Sequence, residues 1–217
     1  MARHTKDELR QGLQEAARLA LEAGISVTCD LARDAHPIDV LLPESEHHDL
    51  LVLGIHDRSR RAGIVLDSTA SRAAHETEGP LLLSREPLGE AFPRHILLAL
   101  DGSPGSRAPA DAAAEIAAAF DSKLEVVRVG TRTDAQRRRQ LGEQVSRIAE
   151  LTGGEPPVSE VGGHPAQAIV EAAREKRPSL LVCGRRGLQG VRALGSVSER
   201  VVHRAPCSVL LVPPRDT

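Results

Sequence analysis

The sequence predicts an α/β fold: an open parallel sheet flanked by helices, preceded by a shorter copy of the same unit. Three observations predict it. Short apolar runs alternate with helical stretches along most of the chain, the order that builds parallel sheets with right-handed crossovers. Runs such as Leu180-Leu181-Val182-Cys183 and 209–212 are apolar without alternation, as in strands buried on both faces. The two halves also repeat. His36-Pro37 lines up with His164-Pro165, 49–54 with 179–184, and 68–83 with 196–211, which sets His75 opposite His203.

Taken in order, residues 6–23 form a helix with Leu9, Leu13, Ala16, Ala17, Ala20 and Leu21 in one stripe, stopped by Gly24. Residues 25–31 read as a strand, with Ile25, Val27 and Cys29 alternating against Ser26 and Thr28. His36-Pro37 opens a short helix that Pro43 interrupts or ends. Residues 50–54 read as a buried strand, 69–76 as a helix and 80–83 as a strand. The segment 85–93, with two prolines, a glycine and charges, is a linker between a first module, 1–84, and a second, 94–217.

The second module opens with a strand at 95–100 and the turn Asp101-Gly102-Ser103-Pro104-Gly105. An alanine-rich helix follows to about Phe120, then a strand at 123–129 and a charged helix at 134–152 ended by Gly153-Gly154. A short strand at 157–161 leads through Gly163-His164 into a helix at 165–176 with Pro165 at its first position. Strand 180–183, a glycine-rich loop, a helix at 197–204 and strand 209–212 close the chain.

Composition narrows the function classes. Two Phe, no Tyr and no Trp argue against a base-stacking surface for single-stranded nucleic acid. A net charge of −2 gives no overall attraction to nucleic acid or to an anionic membrane. No apolar run approaches membrane-span length, and the N-terminus has no signal-peptide core. Cys29, Cys183 and Cys207 have no metal-ligand spacing and read as thiols of a reducing, cytoplasmic protein, with Cys183 and Cys207 in the core. The histidines contain no H-x-x-x-H, and the adjacent His47-His48 pair diverges on any regular element, so no metal site is expected. His164 and His203 are read as capping and packing residues, and Arg137-Arg138-Arg139 as a solvated face.

The loop after strand 180–183 holds Gly184, Gly187, Gly190 and Gly195-Ser196, with Arg185, Arg186 and Arg192. Ser196 is placed for an N-cap, with Glu199 at capping-box spacing. A helix opening after a glycine loop favours an anion. One exposed helix end contributes only about 0.3–1 kcal/mol, so arginines and loop amides would have to add to it. The pattern is neither a P-loop nor a dinucleotide fingerprint. Two readings stay open: a tight packing turn with solvated arginines, or a phosphate site. No G-x-S-x-G elbow or other nucleophile–base arrangement is present, so no catalytic residue is expected.

Taken together, Arg94 to Ser103, Gly163-His164-Pro165-Ala166, 195–201 and Ala205 to Leu210 resemble a universal stress protein (UspA-like) domain over residues 94–213. The resemblance implies a five-stranded sheet in the order 3-2-1-4-5 and makes the whole chain similar to tandem universal stress proteins. It implies an adenine-nucleotide site, ATP with Mg2+ for example. Asp101 would stand on the ribose and adenine side, although it is equally a turn-forming aspartate. Cys183 and Gly184 would approach ribose and base, and Gly187, Gly195, Ser196 and Val197 the phosphates. Arg185, Arg186 and Arg192 would neutralise charge. Nucleotide-binding members carry G-x2-G-x9-G-[ST] here, whereas seven residues separate Gly187 from Gly195 in this chain.

The first module lacks counterparts of the strand at 95–100, the alanine-rich helix and the strand at 123–129. Its own strand 3, at 25–31, then re-pairs, or another chain fills the gap, or the natural chain begins earlier. Where the second module has Gly184, Gly187 and Gly195, the first has Gly54, Asp57 and Asp67, and carboxylates repel phosphate. The first module is expected to bind no nucleotide. Members of the family pair through their last strands, so 80–83 should lie beside 208–212 as a pseudo-dimer, and a homodimer through last strands is expected as well. Three functions follow: a stress-response module that binds nucleotide, the same fold acting through protein interactions alone, or a slow ATP hydrolase.

Overall fold

The structure, a computed structural model, describes residues 6–30, 32, 35–55, 68–85, 92–129, 135–185 and 194–214. The chain divides into two compact units, Met1–Val40 and Leu41–Thr217. The smaller carries α1 (Lys6–Glu22), on which Arg18 pairs with Glu15 at 2.6 Å and with Glu22 at 2.5 Å. Residues 25–30 follow it and form no strand. The alternation expected to make one is present, and Ile25 and Val27 lie exposed. A strand exists only through its neighbours' hydrogen bonds. In the second module the strand at 158–161 takes them from the strand at 123–129, which has no counterpart among the described residues of the first module. α2 (Pro37–Ser45) runs through Pro43 to Ser45, so the proline neither interrupts nor ends the helix at its own position, contrary to expectation.

The larger unit is built on one sheet of seven strands: β1 (Leu51–Gly54), β2 (Leu81–Ser84), β3 (His95–Leu100), β4 (Lys123–Val129), β5 (Val158–Val161), β6 (Leu180–Gly184) and β7 (Ser208–Val212). Their order is β1-β2-β7-β6-β3-β4-β5. Strands β7-β6-β3-β4-β5 form the five-stranded parallel sheet in the expected order. The helices between strands are α3 (Ser68–Glu76), α4 (Arg107–Phe120), α5 (Ala135–Thr152), α6 (Pro165–Lys176) and α7 (Ser196–Arg204).

The repeat is visible in the register. Leu51 faces Leu81 across β1 and β2, just as Leu181 faces Val209 across β6 and β7. The two modules join by an antiparallel pairing, with Leu81 opposite Leu211, Leu82 opposite Leu210 and Leu83 opposite Val209. Under the sequence repeat Leu82 and Leu210 are equivalent, so a pseudo-two-fold axis passes through that pair. Ser208 fixes the join, because its Oγ accepts the Arg85 N–H at 2.9 Å. The last strands therefore lie side by side, as expected. The same pairing overturns the homodimer expected through them. β2 lies between β1 and β7, and β7 between β2 and β6, so neither keeps a free edge.

The core follows from side-chain alternation. Ile96, Leu98, Val126, Leu180, Val182, Leu210 and Val212 face α4 and α5. Ala110, Ala113, Ala114 and Ala117 are buried along α4, and these small side chains seat the helix close to the sheet. Leu97, Val127, Leu181, Val209 and Leu211, equally buried, point to the opposite face. β1 departs from the buried strand expected at 50–54, since its residues are alternately half-buried and exposed and Val52 is 52 % exposed. It is an edge strand, and Val52 shares a face with Leu82 where no counterpart of α4 covers it.

Candidate functional site

The C-terminal ends of β3 and β6 and the start of α7 converge at one end of the sheet, where ligands of open α/β folds bind. Asp101 follows β3 directly, and its Oδ1 accepts the Ser103 N–H at 2.9 Å. Gly102 adopts φ +70°, and a Cβ there would lie 2.6 Å from the backbone oxygen of Arg137 on α5. Only glycine fits a turn pressed that closely by a helix.

Ser103 precedes a 3-10 turn, Pro104–Ser106, that leads into α4. Its carbonyl accepts from the Ser106 N–H at 3.1 Å and from Gln144 Nε2 at 3.1 Å. Ser106 Oγ lies 2.7 Å from that carbonyl and 3.0 Å from Gln144 Oε1. The hydroxyl stands as donor between these two acceptors, the Ser103 carbonyl and Gln144 Oε1. Neither Ser106 nor Gln144 was marked by any motif. The signal available was a glutamine in the apolar stripe of α5 between Leu141 and Ile148.

On the other side of the site, the neck of the glycine loop is closed. Arg185 N–H donates to the Val212 carbonyl at 2.9 Å, and Gly195 N–H to the Arg185 carbonyl at 3.0 Å. Ser198 Oγ donates to the Gly184 carbonyl at 2.7 Å and ties the end of β6 to the first turn of α7. Ser198 also went unmarked in the sequence, where the Ser-Val-Ser spacing was its only trace. Ser196 does not cap α7, contrary to expectation. Gly195 holds the N-cap position and Ser196 is the first helical residue, exposed and without a capping bond. The neck goes with this: Gly195 N–H is spent on the Arg185 carbonyl, and the helix starts one residue earlier than expected. The amides of Ser196, Val197 and Ser198 remain as first-turn donors without an acceptor within the helix.

Cys183 is buried at the end of β6, and burial pushes its thiol up to about 12, as it does for Cys207. Both are core thiols. Arg185 is 3 % exposed, so its guanidinium stands inside the protein at the loop's root and not in solvent. Arg186, Gly187, Gly190 and Arg192, with Asp57 and Asp67 of the first module, lie outside the described residues. His164 occupies the N-cap position of α6 without a side-chain capping bond, and its Nε2 lies 3.0 Å from Arg200.

A groove of about 830 Å³ opens on the helical side of the same turn, lined by Pro104, Arg107, Asp111, Gln144 and Arg147 among others. Asp111 is buried there and accepts from Arg147 Nε at 2.5 Å. None of the strand-end residues lines this groove. Among the described residues no cluster of His, Cys, Asp or Glu is arranged to hold a metal ion, and no helix is long and apolar enough to cross a membrane.

Comparison with known proteins matches residues 1–85 and 93–213 to the universal stress protein family. A universal stress protein of Thermus aquaticus is 36 % identical over 132 residues, covering 54 % of this chain and 96 % of its own. One of Mycolicibacterium smegmatis is 26 % identical over 239 residues, covering 93 % of this chain and 78 % of its own. The crystal structure of a universal stress protein from Archaeoglobus fulgidus superposes with a TM-score of 0.76 at 21 % identity, covering all of this chain and 82 % of that one.

Proposed function

The chain belongs to the universal stress protein family, and from that premise we propose that its second module, 94–217, binds an adenine nucleotide as part of a stress response in the cytoplasm. In this reading the first module, 1–84, is a degenerate copy that binds none and serves as a built-in dimer partner, with 85–93 as the connection. The observation that carries the proposal is convergence at one end of the sheet. Asp101, the backbone of Gly184 and the first-turn amides of Ser196, Val197 and Ser198 lie around it.

Asp101 Oδ2 is the acceptor for a ribose hydroxyl or the adenine amine, since Oδ1 serves the turn. The α7 amides, with Gly187 and Gly195 of the loop, take the phosphates. Arg185, Arg186 and Arg192 balance their charge, and Mg2+ is held mainly by the phosphates of ATP. The reading includes no catalytic residue, and any hydrolysis of ATP is slow and incidental.

A second reading has a specific observation in its favour. Asp101 already has a structural task in its turn, so the same fold can work through protein contacts without a nucleotide.

One experiment separates the two. With no Trp or Tyr, the protein is nearly transparent at 280 nm. A 260 nm band that denaturation releases as ATP or ADP supports the first reading, and Gly187→Asp then removes it. A ligand at 100 times its dissociation constant adds about 2.7 kcal/mol of stability. A flat spectrum with no thermal shift on adding ATP, ADP, AMP or cyclic AMP sinks the nucleotide reading.

A further inference from the structure

We propose that Gln144 and Ser106 are positioning residues for the nucleotide site, acting through the orientation of the Asp101 carboxylate. The inference rests on the nucleotide reading above. Gln144 is 8 % exposed and sits in the stripe of α5 whose other members, Leu141 and Ile148, pack in the core. An amide buried at such a position costs free energy unless its polar atoms are bonded. Both of its polar groups are bonded, and both bonds go to the β3–α4 turn.

The peptide of Ser103 is thereby gripped at both ends. Its N–H donates to Asp101 Oδ1 at 2.9 Å, and its carbonyl accepts from Gln144 Nε2 at 3.1 Å. Ser106, itself buried, closes the ring by donating to Gln144 Oε1 at 3.0 Å. α5 presses on the same turn a second time through the Arg137 carbonyl against Gly102. Two contacts from one helix therefore set the conformation of a turn whose function is to aim one carboxylate. With Oδ1 held by Ser103, Oδ2 is presented to the end of the sheet where the nucleoside binds. Without Gln144, Ser103 can rotate and Asp101 loses its fixed rotamer. A satisfied polar ring of this kind adds geometry rather than stability over a leucine, and that geometry accounts for a glutamine there.

The test is a mutant cycle on the full chain, with ATP as the probe and binding read by isothermal titration. Ser106→Ala and Gln144→Leu each weaken ATP binding about tenfold in the wild-type background. In an Asp101→Ala background each changes it less than twofold, because the residue they act through is gone. Ser106→Thr, which keeps the hydroxyl, retains wild-type affinity. Thermal melts run alongside, and Ser106→Ala is the milder change should Gln144→Leu fail to fold. Effects that remain tenfold in the Asp101→Ala background, or that are absent in both, overturn the positioning role while leaving the nucleotide reading intact. A wild-type chain that binds no ATP overturns both.

Discussion

Glu125 is a carboxylate on β4 with its side chain 8 % exposed. Lys123 and Lys176 ion-pair with it, Lys176 Nζ at 2.7 Å, and His95 Nε2 lies at 3.3 Å. Hydrogen bonds from the two lysines hold its pKa down to about 2, from a usual 4.5. Burial lowers His95 from 6.5 and outweighs the pull of the neighbouring carboxylate. Both folded pKa values are depressed, so both contributions act in the same direction. The His95 contribution is present above about pH 6.5 and declines as pH falls below it. The Glu125 contribution is present above about 4.5 and is lost as pH falls toward 2. Circular-dichroism melts across this range should show stability falling in two stages, and Glu125→Gln should flatten the lower one. Gly102→Ala, at φ +70° and 2.6 Å from a backbone oxygen, should cost roughly 1–3 kcal/mol in urea unfolding. An unchanged midpoint would mean that α5 does not press on the turn.

α4 shows how an element's composition sets its place. Ala113 and Ala114 are fully buried against the sheet, so the helix axis lies close to it. Ala113→Leu overfills that contact and should lower stability by about 1–3 kcal/mol, measured by the urea midpoint. Residues 25–30 show the converse. Their alternation is as regular as that of many strands, yet a strand needs partners and none is supplied among the described residues. β1 has half of what it needs: its hydrogen bonds go to β2 on one side, and Val52 stays exposed on a face that α4 covers in the second module.

At the scale of the molecule, the antiparallel join of β2 and β7 is an isologous interface formed within one chain. It places two apolar last strands where each would otherwise be an open edge, a recognised site of self-association. The fragment 93–213 expressed alone should therefore dimerise through β7, whereas the full chain has no free edge there. Sedimentation equilibrium decides it, and a monomeric fragment would mean that β7 does not seek a partner.

The amino-acid pattern by itself determined most of the larger unit. The apolar runs, prolines and glycines located its helices and strands, and the repeat with the family motifs placed the sheet order and the meeting of the last strands. These are local or periodic signals, carried by residues close in sequence. Tertiary structure alone decided whether 25–30 could be a strand, how far β1 is exposed and where α7 begins. It alone brought Gln144 to Ser103 and Ser106, and Ser198 to Gly184. The physical reason is common to all of these. A strand edge, a burial and a side-chain hydrogen bond each depend on a partner distant in the chain, and residue type reports only that a partner is needed.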